Sequence, residues 1–221
     1  MTPRPTPATL TLVLALIAQA IMAGLTVGFA GPVDPLRDPV SDYAWHHGGR
    51  FLFTLAVLLL LAAAVTLAVA ARLAALPLPP RVIVLFGLWA AGLVVVAVFP
   101  SNVSAADPTT SGSIHRAGGA VLFASLPSAA WALSIRLRSE ARWLGVAPLV
   151  RRGAVAGVVT ATAFGVAQVV GWLPAGLLER LALLAEFLII ATVATAARRG
   201  VDAGMPAGDA ATAPVARRAD R

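Results

Sequence analysis

The chain has no cysteine and no lysine, and only 12% of its 221 residues are charged. Without cysteine there are no disulfides, thiolate metal ligands or thiol nucleophiles, so any loop must be held by packing and hydrogen bonds. Without lysine, all seventeen basic residues are arginine. Histidine is limited to His46, His47 and His115, and acidic residues number ten. What the chain has instead is apolar surface. A hydrophobic share of 59% and a mean hydropathy of +0.86 leave more of it than a water-soluble fold of this length can bury.

Six apolar runs, 8–30, 51–71, 82–99, 114–137, 153–173 and 175–197, are long enough to cross a hydrocarbon core of about 30 Å as helices. The sequence thus predicts an all-α polytopic membrane bundle: a six-helix domain over 1–199, then a disordered cytoplasmic tail over 200–221, rich in Ala, Pro, Gly and charge. Gly28-Phe29-Ala30 resembles a signal-peptide cleavage site, but the run before it is longer than a signal core of about 7 to 15 residues, which favours an uncleaved helix.

Arginine sets the orientation. With the N-terminus inside, thirteen arginines fall on inner segments, and Arg37, Arg50, Arg116 and Arg180 on outer ones. That asymmetry places both termini in the cytoplasm of a cell-membrane, multi-pass protein. The net charge of +7 is then a topology signal, and no soluble domain is available to present a nucleic-acid surface. The partner that composition implies is the lipid bilayer.

Within the helices, Gly24 with Gly28 and Gly153 with Gly157 have the spacing that lets neighbours approach closely, and Pro127 should kink the fourth span. Chemistry has little else to draw on. All three histidines and four acidic residues lie in two outer loops, 31–50 and 100–115. In the first, Ser41 or Asp42 is placed to cap a short helix stopped by Gly48-Gly49, with Asp42 and His46 one turn apart and Tyr43 and Trp45 at headgroup level. In the second, Asp107-Pro108 marks a turn, and Ser113 is placed to cap the fourth span, with His115 in its first turn.

The last span adds Glu179 and Arg180 near its outer end and Glu186 near midplane, where a carboxylate must find a partner. Gln168 on the fifth span is the neutral candidate for Glu186, and Arg50, Arg116 or Arg180 for Glu179.

The segments Pro39-Val-Ser41-Asp42, Phe99-Pro100 followed by Asp107, Gly112 and His115, and Gly176-Leu-Leu-Glu179-Arg180 resemble, in order and spacing, the bacterial membrane family called domain of unknown function 998 (DUF998). The resemblance implies six helices and an integral membrane location, and no activity.

Three functions fit these residues. The first is non-catalytic binding of a lipid, small molecule or partner by Ser41, Asp42, His46, His47, Asp107, His115 and Glu179 at the outer face. The second is a metal-dependent hydrolase or transferase, with zinc held by His115, one of His46 or His47, and a carboxylate, and with Asp42, Asp107 and His115 as catalytic candidates. No His-Glu-x-x-His spacing accompanies that set. The third is a proton-coupled transporter using Glu186, which needs a polar path on both sides of it.

Overall fold

The computed structural model describes residues 5–102 and 108–204, with side chains to 201. Among these residues the ordered elements are helical: α1 (Pro7–Gly28), α2 (Gly49–Leu73), α3 (Pro80–Val98), α4 (Thr110–Leu137), α5 (Ala147–Ala167) and α6 (Ala175–Gly204), with short 3-10 helices at Val40–Trp45 and Ala141–Trp143. Helices α1 to α5 are each long and apolar enough to cross a membrane. The 30-residue α6 completes a six-helix transmembrane bundle, packed on α1, α2, α4 and α5.

Each helix packs on its neighbour in sequence, and α6 returns to α1 to close the ring. Because lipid replaces water outside, the inward faces are marked by small side chains and not by hydrophobicity. Ala8, Thr11, Ala15, Ala18, Met22 and Leu25 form the buried stripe of α1, while Val13, Leu16 and Ile17 point out. Thr11 donates to Thr66 on α2 at 2.8 Å, and Gln19 reaches the Leu183 carbonyl on α6 at 3.1 Å.

Boundaries differ from the hydropathy pattern where local chemistry outweighs it. The fifth helix, expected over 153–173, runs Ala147–Ala167. Pro148 is compatible with its first turn, and Arg151 lies inside the helix with its guanidinium 3.2 Å from the centre of the Trp131 ring. Gly171 and Pro174 confine 168–174 to turns. Helix α4 is capped by Thr109, whose hydroxyl accepts from Gly112 N at 2.9 Å, and not by Ser113. Helix α6 continues to Gly204, beyond the expected boundary at 199, and 205–221 lie outside the described residues.

The two glycine pairs behave differently. A methyl group on Gly157 would sit 2.7 Å from Pro127 Cγ, and one on Gly153 would sit 3.0 Å from Ile189, so both hold α5 close to its neighbours. Gly24 and Gly28 have open space instead, and the spacing in α1 serves no close contact here.

Candidate functional site: a roofed cavity at one end of the bundle

The α1–α2 loop is folded onto the start of α6, and the sequence shows how. Asp34 Oδ1 accepts from Leu36 N and Asp38 Oδ2 from Asp34 N, each at 2.8 Å, which rounds off the proline-rich stretch. The carbonyls of Arg37 and Leu36 then accept from Gly176 N and Leu177 N at 3.2 and 3.1 Å, satisfying two amides that α6 leaves open at its N-terminus. A side chain on Gly176 would collide with the Asp38 backbone. Only glycine allows that approach.

Two charged residues of α6 complete the docking. Glu179 is 7% exposed, and its Oε2 accepts from Val40 N at 2.7 Å, capping the 3-10 helix Val40–Trp45 from outside. No cation among the described residues pairs with it, so the expected partnership with Arg50, Arg116 or Arg180 is replaced by this amide. Arg180 works by geometry. Its Nη1 donates to the carbonyls of Pro35, Asp38 and Gly176 at 2.9, 3.0 and 2.8 Å, Nε to Thr26 Oγ1 at 3.3 Å, and Nη2 to the Tyr43 hydroxyl.

These bonds revise the loop's expected anatomy. Ser41 and Asp42 lie within the 3-10 helix, whose N-cap is Pro39 with no side-chain cap. Tyr43 is fully buried under Arg180, whereas Trp45 is exposed and donates to Ser101 at 3.0 Å, tying the α1–α2 and α3–α4 loops together. Gly48 has φ of +80°, and a side chain on Gly49 would overlap the Tyr43 carbonyl, so the glycine pair serves both a left-handed turn and a close approach.

Beneath this roof lies a cavity of about 1500 Å³. Its rim carries Arg37, Ser41, Asp42, Asn102, His115 and Arg116, with Gln168 and Glu179 beside them. Its depth is apolar, formed by Phe53, Val57, Leu60, Leu93, Leu122 and Phe164 from α2, α3, α4 and α5. The structure thus gathers Ser41, Asp42, His115, Gln168 and Glu179 around one space. His46 and His47 are not among its lining residues: His46 ends the 3-10 helix with its ring 6.0 Å from that of Phe29, and His47 is exposed.

Two side chains at the rim have defined electrostatics. His115 Nδ1 donates to the Phe99 carbonyl at 2.8 Å; a carbonyl only accepts, so the hydrogen is on Nδ1 and a neutral ring offers Nε2 as acceptor. Asp42 is half-buried, and its carboxyl is raised to about 6, first by loss of hydration and then by Asp38; His46 and Arg180 partly oppose the rise.

Among the described residues, no three His, Asp or Glu side chains come together to hold a metal ion, so the set His46, His47, His115 and Asp42 does not assemble as a zinc site. Asp107 lies outside the described residues. In the middle of α6, Glu186 is buried and accepts from Trp89 Nε1 at 3.2 Å, not from Gln168, while its Oε1 has no partner among the described residues. Glu186 does not line the cavity.

Sequence reasoning missed Trp89, Arg37, Asn102 and the α5 wall. Asn102 braces the second loop, accepting from Thr109 N at 2.9 Å and from the Thr109 hydroxyl at 2.8 Å. A polar residue just past Phe99-Pro100, seven positions before the cap, was the available signal.

The fold defines a multi-pass membrane protein whose polar residues are concentrated at one end of an apolar bundle. The chain belongs to the family described as Protein of unknown function (DUF998), which it matches over residues 8–196. The motifs Pro39 to Asp42 and Gly176 to Arg180, on which the resemblance rested, are the segments that dock the roof onto α6. No match to the chain was found among curated proteins or among solved structures.

Proposed function

We propose that the protein is a non-catalytic binding protein of the cell membrane, which holds an amphiphile in the roofed cavity with its polar end at the rim and its apolar part below. Both termini are cytoplasmic in this reading, from the arginine distribution, so the rim faces outward. The observation that carries it is the cavity itself: one space of about 1500 Å³ joins a rim of hydrogen-bonding and charged side chains to apolar walls. At about 1500 Å³ the cavity exceeds the roughly 300 to 1,000 Å³ typical of pockets for drug-sized ligands and shares with them the few polar groups that fix orientation. A metal-dependent hydrolase is the weaker reading, since Asp42 and His115 share the cavity but the histidine pair 46–47 does not join them.

The test is to purify the protein, exchange it into a chemically distinct detergent, and identify retained small molecules by mass spectrometry beside Gly119→Phe. Gly119 lines the cavity and has nothing within 4 Å of an added Cβ, so the substitution adds bulk to the cavity wall with no clash at Cβ. One amphiphile class at near one per chain, lost in a variant with an unchanged melting temperature, is the expected result. An empty wild type, or the same molecules in both proteins, would overturn the proposal.

A further inference from the structure

The cavity is not enclosed on all sides. Ala120, Ala124, Val158, Thr162 and Gly165 line it together with buried Phe53, Val57 and Leu93, yet these five are exposed. They belong to facing stretches of α4 and α5. The two helices touch at Pro127 and Gly157, and Phe123 and Phe164 meet edge to face with ring centres 5.3 Å apart. Ala120 and Gly165 lie on the roof side of both contacts and Ala124, Val158 and Thr162 between them, so the cavity is only partly enclosed along this α4–α5 cleft.

The rim above that cleft is charged in one sense. Arg116 is one helical turn beyond Ala120 on α4, and Gln168 ends α5; both are exposed and both line the cavity. Arg37 contributes a second exposed guanidinium from the roof. The rim's carboxylates, Asp42 and Glu179, belong to the roof and to α6, not to the helices that border the cleft. A site with apolar depth, a sideways opening within the membrane and arginines at its outer edge matches a lipid anchored in the bilayer by its own chains. Planar guanidinium groups suit phosphate, which accepts two parallel hydrogen bonds from each.

Resting on the binding reading above, we infer that the ligand is a membrane lipid with a phosphate headgroup, whose acyl chain passes between α4 and α5 while Arg116 and Arg37 hold the phosphate. A water-soluble molecule would instead reach the cavity at the rim. The cleft is therefore needed only by a ligand whose chain stays in the bilayer.

The experiment uses the full chain in detergent micelles with two fluorescent probes, a long-chain phosphatidylglycerol and its dihexanoyl analogue, and three proteins: wild type, Gly165→Phe and Arg116→Gln. Gly165 lines the cavity, is exposed and has nothing within 4 Å of an added Cβ, so phenylalanine there adds bulk at the cleft with no clash at Cβ. Gly165→Phe is expected to lose the long-chain probe and keep the short one. Arg116→Gln is expected to weaken both by about tenfold, as removal of one charge-assisted hydrogen-bonding pair does. Long-chain binding that is unaltered in Gly165→Phe would overturn sideways access while leaving the cavity as a binding site. Equal affinity for a neutral diacylglycerol would overturn the headgroup assignment. Failure of wild type to bind either probe would overturn the phosphate-headgroup inference, while an amphiphile of another class retained by the purified wild type would leave the binding reading standing.

Discussion

Arg180→Lys is the substitution that tests how the roof is held. It keeps the positive charge and much of the length, so a roof held by charge alone would survive it. In the structure, however, one planar group contacts five acceptors on four segments: Thr26 on α1, Pro35 and Asp38 in the loop, Tyr43 in the 3-10 helix and Gly176 on α6. An ammonium is a compact group with three donors on a flexible stem and cannot span that set. Each acceptor left without its cationic donor costs about 1.5–3 kcal/mol, so loss of two amounts to about 3–6 kcal/mol. Because the loss is local, the roof should open before the bundle melts. Hydrogen exchange in detergent should show faster exchange at 33–46 and at 176–177, with the inner halves of the helices unchanged. Exchange at 33–46 equal to wild type would refute the reasoning.

Two further outcomes follow from the geometry. Asp42 binds its proton more tightly in the folded protein than in the unfolded chain, since its carboxyl is raised from 3.8 to about 6. Between these values the folded state holds more protons, so this group makes stability fall as pH rises from about 4 to about 6 and adds no further change above that. Asp42→Asn should therefore flatten that part of the pH profile of the melting temperature and raise stability at pH 7; an unaltered profile would sink the assignment. Gly157→Ala should destabilise the bundle by about 1–3 kcal/mol through overpacking against Pro127, whereas Gly24→Ala should stay within about 0.5 kcal/mol. Reversible unfolding in mixed micelles compares the two, and equal effects would show that α4 and α5 are not held at Pro127.

Much of the site was legible as a set of residues. Ser41, Asp42, His115, Gln168 and Glu179 were picked out because polar groups are few in this chain, and scarcity is a property of sequence. Their pairings were not legible. The expected partners of Glu179 were arginines, yet it takes the Val40 amide 139 positions away. The expected partner of Glu186 was Gln168, yet Trp89 on α3 donates to it. Hydropathy reports how apolar a stretch is and carries no information about which direction a side chain faces inside a ring of similar helices. For the same reason, two glycine pairs with identical spacing could not be told apart until Pro127 and Ile189 were seen against one of them.

By itself, the sequence determined the membrane location, six helices, their order and the concentration of polar groups in two loops on one side. Those features follow from local composition, because a bilayer demands long apolar runs and leaves the polar residues to the loops. Only the tertiary structure decided that the first loop is bolted to α6 by Gly176, Glu179 and Arg180, and that a cavity lies beneath it. Those features depend on contacts between residues far apart in the chain, and on space left unfilled, which no local pattern encodes.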